Sequence, residues 1–304
     1  MRILQMLMGS RVPFPNFSVL LLCASFTVFS GFASAAEPLV VRHNFYVDQD
    51  SETLNYKGEV LALVLEKSKS RYGPYVMKKV DLKDWSQSRT YNQLEHGQLD
   101  LISSMTSEAR EKAGLPIRYC LYKGLLGIRI GMGSEARVAA LDQIQTRDEL
   151  NKVKFGQVFD WPDYAIQTHA GLQVLPLSSV ASSIPRLKMG SFDLLPLGIV
   201  EVAPIARQHN LKVISTWAIA YPTAYYFFVD KNRPELAERM AYGFEQAIKD
   251  HSFDRLFSNR IGPLIADAGL ANRKMFYIRN PFLPKATPLE RKELWDPLVN
   301  GRLQ

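Results

Sequence analysis

The side chains with the most evident chemistry fall together at Phe159-Asp160-Trp161-Pro162-Asp163, where an apolar run ends and a helix is expected to begin. Unsatisfied amides at a helix start attract an anion. The Trp161 indole offers a face for stacking, and Asp160 or Asp163 can receive an amine. The same five residues also read as an N-cap aspartate beside a buried tryptophan, and both readings stay open here. Tyr46, Asp48, Trp85 and Ser103 fall at or near the ends of expected strands, where open α/β sheets collect ligands.

Other chemistries fail on spacing. His43, His96, His169, His209 and His251 show no H-x-H or H-x-x-x-H pattern, so no metal is expected. Gly131-Met132-Gly133-Ser134-Glu135-Ala136 follows a plausible strand over 124–130 and imitates a dinucleotide fingerprint, but its glycines suit a flexible crossing at least as well. No cofactor is expected. A serine-hydrolase elbow, G-x-S-x-G, does not occur. Carboxylates are plentiful, yet no spacing reveals a pair across a cleft, so no catalytic residue is assigned and an acid/base enzyme stays open. The basic pairs Lys78-Lys79 and Arg273-Lys274 are scattered rather than striped, which fits solvated surface and not nucleic acid.

The elements that must position these residues follow from length and pattern. The chain has 304 residues, 47% hydrophobic and 22% charged, an ordinary folded composition with about two domains' worth of length and two expected cores. Arg2 and Arg11 precede an uncharged run whose apolar centre, 19–29, is too short to span a bilayer, and Ala33-Ser34-Ala35 follows as an A-x-A cleavage site. Residues 1–35 are therefore expected to be a cleaved signal peptide, and the remainder to be exported. Without the two leader arginines the formal charge of +7 is only mildly basic. Cys23 follows three leucines, unlike a lipid-attachment site, and Cys120 is then the one cysteine left, so no internal disulfide can form. No later stretch has the length of uncharged apolar sequence that a span requires.

Strands are expected over 39–45, 75–80 and 99–103, with helices over 58–71 and 86–96 between them. The pattern recurs with strands over 153–158, 173–177 and 192–195 and helices over 162–169 and 182–189, then a strand over 224–229 and a helix over 234–250. Alternation of this kind predicts an α/β fold with mostly parallel sheets. Within it, Leu94-Glu95-His96-Gly97-Gln98-Leu99-Asp100 and Leu187-Lys188-Met189-Gly190-Ser191-Phe192-Asp193 share L-x-x-G-x-apolar-D. Each reads as an inward leucine, a glycine that reverses the chain and an aspartate at the mouth of a strand, which implies two related lobes. Connections near residues 126–132 and 222–230 would form a two-stranded hinge, giving lobe 1 as 36–128 plus 229–304 and lobe 2 as 129–228.

The chain resembles the bacterial periplasmic solute-binding proteins of the amino-acid-binding type, family 3, with the type 2 periplasmic-binding fold. The resemblance runs in order through Asn55-Tyr56-Lys57-Gly58-Glu59-Val60, Arg89 to Asp100, the loop Thr106-Ser107-Glu108-Ala109-Arg110-Glu111, and the helix from Pro234 to Asp250. A tail with Asn280-Pro281-Phe282-Leu283-Pro284 and Glu293-Leu294-Trp295 resembles one exported branch. The resemblance implies that Arg110 holds a ligand carboxylate, with Thr106 nearby, and that Glu201 is an acidic ligand contact three residues later than usual. Guanidinium chemistry suits that role, because its planar fork matches a carboxylate with two charge-assisted bonds. The alternative for Arg110 is a surface pair with Glu108 or Glu111. The loop before Arg110 is shorter than the family's, and Ile117-Arg118-Tyr119-Cys120 replaces its aromatic-serine-proline run. The resemblance further implies a monomer in the periplasm that captures a small polar solute by hinge closure for an inner-membrane transporter or sensor. A sensory adaptor without transport is the alternative function, and an exported hydrolase or lyase on the same scaffold a third.

Overall fold

A computed structural model describes residues 37–47, 54–81 and 86–299; the expected leader, its cleavage position, Asp48 and Trp85 lie outside the described residues. The first half opens with β1 (Leu39–His43), α1 (Tyr56–Tyr72) and β2 (Tyr75–Lys79). The α1 helix starts where the Asn55 side chain accepts the Gly58 N–H at 3.2 Å, and it buries Val60, Leu61, Val64 and Leu65 along one face. Next come α2 (Gln87–Glu95), β3 (Leu101–Met105), α3 (Glu108–Ala113) and β4 (Leu115–Ile117). Ser86 caps α2 and Ser107 caps α3, each through its hydroxyl oxygen.

A crossing strand, β5 (Ile128–Gly133), leads into α4 (Glu135–Leu141), α5 (Arg147–Leu150), β6 (Lys154–Val158), α6 (Pro162–His169), β7 (Gln173–Leu177) and α7 (Val180–Lys188). Then follow β8 (Leu195–Gly198), α8 (Val202–Gln208), β9 (Lys212–Val213) and β10 (Trp217–Ala220). The chain returns through β11 (Tyr225–Val229), α9 (Pro234–Lys249), α10 (Ser252–Ala268) and β12 (Lys274–Tyr277).

Pairing falls into two groups. In one, β1 lies parallel to β2, and β11 lies between β3 and β4. In the other, β5 is flanked by β8, β9 and β10, β12 lies outside β10, and β6 lies parallel to β7 with a bridge from Phe155 to Leu194. The expected parallel pairing is found in β1–β2 and β6–β7, and a further parallel pair, β10–β12, joins two strands that the sequence pattern did not mark. The crossing strands β5 and β11 are antiparallel to their neighbours in β8, β9, β10, β3 and β4, because each enters its sheet from the opposite half.

Pairing moves the expected lobe limits in two places. Residues 225–228, expected in lobe 2, belong to β11 and pair with β3; residues 274–277, expected in lobe 1, form β12 on the second sheet. The strand expected at 192–195 begins later, at Leu195, since the amide of Asp193 bonds to the carbonyl of Lys154 at 2.7 Å. The two crossings lie side by side: Arg129 and Ile128 pair with Ile219 and Ala220, and the Tyr221 N–H reaches the Gly127 carbonyl at 3.1 Å. Instead of two separate cores, the buried side chains of both halves form one continuous cluster that includes Ile128 and Tyr221 at this crossing.

After β12 the tail runs back to the first half. Asn280 donates to the Pro222 carbonyl at 2.8 Å, Arg291 pairs with Glu245 at 2.7 Å, and the Asp296 N–H reaches the Lys123 carbonyl at 2.9 Å. Trp295 is buried against Gly124, with its indole N–H on the Pro288 carbonyl at 2.9 Å. Among the described residues no helix is long and apolar enough to cross a membrane, and no cluster of three metal-ligating side chains occurs.

Candidate functional site

At the carboxyl ends of β1 and β3, where the first turns of α1 and α2 converge, the fold leaves a recess of about 190 Å³. That is below the roughly 300–1,000 Å³ of pockets for drug-sized ligands, so it suits a small guest. Lys57 and Gln87 come from the two helix starts, Ser103 and Ser104 from β3, Tyr91 from α2 and Tyr225 from β11. The Tyr91 hydroxyl is buried without a hydrogen-bond partner, and burial pushes its pKa up. A neutral hydroxyl in that position is a ready donor or acceptor.

Arg110 lies behind this wall. Only 9% exposed, it donates Nη1 to Ser104 Oγ and to the Met105 carbonyl at 3.1 Å, and its guanidinium carbon is 5.5 Å from the centre of the Tyr91 ring. Burial lowers its pKa, and Tyr91, Tyr225, Asp163 and Asp160 oppose that effect. The surface pair with Glu108 or Glu111 does not form. Glu111 instead accepts the Thr106 hydroxyl at 2.8 Å and Arg118 at 2.5 Å.

Asp160 reaches across from the second half. Its carbonyl accepts Arg110 Nη2 at 2.8 Å, and its Oδ2 accepts the Ser88 N–H at 3.1 Å and the Ser88 hydroxyl at 3.2 Å. A carboxylate therefore occupies the amino end of α2, where the helix dipole favours it. Its other oxygen, Oδ1, is buried and unpartnered. Asp160 is not the N-cap of α6. Trp161 holds that position without a side-chain cap, and its ring is partly buried against the core.

Asp163, in the first turn of α6, points into the hinge. Only 2% of its side chain is exposed, and its Oδ1 accepts Arg129 Nη2 at 2.6 Å and the Tyr221 hydroxyl. Burial works against the Arg129 charge, but Asp163, Tyr221 and Glu201 outweigh it and leave the guanidinium pKa raised. Glu201 belongs to the same cluster: its Oε2 accepts the Gly198 N–H at 2.9 Å and lies 3.5 Å from Arg129 Nη1.

Of the residues singled out from sequence, Ser103 thus lines the recess, Arg110 backs it, and Asp160 closes on its rim. Thr106 is buried on Glu111, Asp163 and Glu201 are held by Arg129, and Tyr46 stacks on His43 at 5.3 Å with the Lys79 ammonium 4.7 Å from its ring. Lys57, Gln87, Tyr91, Ser104 and Tyr225 were not singled out. The caps at Asn55 and Ser86 carried the signal for the first two, because a cap fixes which residues stand in the first turn over the strand ends. A larger groove, about 930 Å³, runs between Pro222 and the tail. Its partly buried cation, Arg273, is already bound to the carbonyls of Ala268 at 2.7 Å, Ile214 and Trp217 at 3.4 Å.

No protein-family model matches the chain, and no curated protein matches it in sequence. Solved structures share its fold. A Salmonella typhimurium periplasmic binding protein of high arginine specificity aligns with a TM-score of 0.55 at 10% identity, over 73% of this chain and 98% of that one. A Silicibacter pomeroyi His/Glu/Gln/Arg/opine family-binding protein in complex with lysine gives 0.56 at 10% identity, over 74% and 97%. A histidine kinase sensor domain similar to periplasmic binding proteins gives 0.50 at 17% identity, over 74% and 95%. The chain has the two-lobed α/β fold of the type 2 periplasmic binding proteins.

Proposed function

We propose that this protein is a non-catalytic binding protein, exported to the periplasm, that traps a small polar solute, an amino acid or related carboxylate, by closing two lobes about a hinge. Lobe 1 comprises β1–β4, β11, α1–α3, α9 and α10; lobe 2 comprises β5–β10, β12 and α4–α8. The observation that carries this reading is Arg110, a buried cation behind a polar recess whose guanidinium also bonds the opposing lobe at Asp160. A ligand that replaces the Ser104 and Asp160 acceptors with its own carboxylate makes contacts that exist only with the lobes closed, so binding shifts the population toward closure. An inner-membrane transporter reads that shape. The likeness to a histidine kinase sensor domain favours a second reading, in which a membrane sensor reads it instead.

The test is thermal stabilisation across amino acids, polyamines, organic acids and oligosaccharides, with recovery of the unaltered compound afterwards. At a hundred times its Kd a ligand adds about 2.7 kcal/mol of stability, well within detection. Arg110→Ala is expected to abolish the response to the best compound. Undiminished stabilisation of that variant removes Arg110 from the site, and conversion of the compound makes the protein an enzyme.

A further inference from the structure

We propose that Lys57 makes the recess selective for a small solute with two acid groups, a dicarboxylate or an acidic amino acid, and that cationic solutes are rejected. The inference rests on the cleft reading above and adds the ligand's charge to it.

Lys57 stands in the first turn of α1 and lines the recess, its ammonium 5.6 Å from the centre of the Phe45 ring. Among the described residues no carboxylate lies within ion-pair distance of it, and the recess wall includes no Asp or Glu. This half-buried ammonium rests on an aromatic floor with no anion beside it among the described residues. Two helix starts add their positive ends to the same space, and the unpartnered Tyr91 hydroxyl can donate into it. The second lobe shows what this rim attracts: the Asp160 carboxylate already sits on the Ser88 amide.

If Arg110 takes one carboxylate, Lys57 is the cation left for another. A guanidinium or ammonium on the guest would instead face Lys57 across a small cavity, where like charges repel more strongly than in water. Several proteins that share the fold are described with arginine or lysine, so the expectation here separates this chain from them.

The test is calorimetric titration of the exported form with L-glutamate, L-aspartate, succinate, L-glutamine, L-arginine and L-lysine. At least one of the three acids is expected to bind ten times or more tighter than L-glutamine, with no heat from the two basic amino acids. Lys57→Gln should remove that preference, and Lys57→Arg, which keeps the charge, should retain it. A preference that survives Lys57→Gln overturns the inference. So does tighter binding of glutamine, arginine or lysine, although such binding leaves the cleft reading intact if Arg110→Ala abolishes it. No heat with any of the six also overturns it, and the wider stabilisation panel then decides the cleft reading separately.

Discussion

Asp100 and Asp193 occupy matching positions in the two halves and make matching bonds. Asp100 Oδ2 accepts the backbone N–H of Arg42 on β1 at 2.7 Å, and Asp193 Oδ2 accepts that of Lys154 on β6 at 2.9 Å. Each aspartate's own N–H returns to the carbonyl of the same residue, at 3.0 Å and 2.7 Å. Each carboxylate is also held by arginine: Asp100 by Arg42 at 2.6 Å and Arg233 at 2.7 Å, Asp193 by the Arg137 Nε at 2.9 Å. Before each, Gly97 and Gly190 turn the chain at φ 63° and 76°, a region that glycine enters without strain. The pair fastens β1 to the approach to β3 and β6 to the approach to β8.

Removing either carboxylate leaves arginine without its partner and a strand amide without its acceptor. Asp100→Ala, fully buried and doubly paired, is expected to destabilise the fold by about 3–5 kcal/mol. Asp193→Ala should do less, since Arg137 is half-exposed and can turn to water. Urea denaturation of both variants checks the order, and an equal loss in the two would contradict it.

The hinge pair gives a contrasting expectation. Asp163→Ala strands the buried Arg129 charge and should lower stability by about 3–5 kcal/mol. Exchange to methionine at both positions should recover much of that loss, because buried ion pairs are often replaceable by apolar groups of similar volume. A stable Asp163→Ala protein that loses its ligand response would instead make Asp163 a ligand contact.

His43 supplies a pH dependence. It is fully buried at the end of β1, its Nδ1 accepts the Phe45 N–H at 3.2 Å, and its Nε2 has no partner. Burial lowers its pKa to about 4, against about 6.5 in the unfolded chain. Between those values the unfolded state binds more protons, so stability is complete above pH 6.5 and falls by about 3 kcal/mol as pH drops toward 4. Denaturation at pH 7 and pH 5 should show most of this fall, and His43→Gln should flatten it. An unchanged slope in the variant would assign the pH dependence to carboxylates.

The bonds across the cleft predict a closed resting state. Asp160→Ala removes both Ser88 contacts, exposed bonds worth at most about 1 kcal/mol each but acting together across the cleft. The radius of gyration of the ligand-free protein, measured by small-angle scattering, is expected to rise. Identical scattering from wild type and variant would mean that these contacts do not hold the lobes.

The local steps were legible before any fold was known. The helices over 58–71 and 86–96 were readable because apolar spacing is a local signal, and the structure then starts them, and α3, at the caps Asn55, Ser86 and Ser107. The repeat around Gly97 and Gly190 was readable because a positive φ and a strand-end aspartate are both decided within a few residues. The strand β12 was not foreseen, since its pairing with β10 joins residues far apart in sequence. Nor was the reach of Arg110 to Asp160, fifty residues away.

By itself, then, the sequence determined the alternation of strand and helix at the start of each half, the two-fold repetition and the presence of an arginine beside polar residues. Tertiary structure decided which of the candidate aspartates faces the cleft: Asp160 turns to Ser88 while Asp163, three residues on, turns to Arg129 in the hinge. The physical reason is that capping and periodicity act within a turn or two, whereas a carboxylate's partner is whichever cation or amide the packed chain brings within about 3 Å of it.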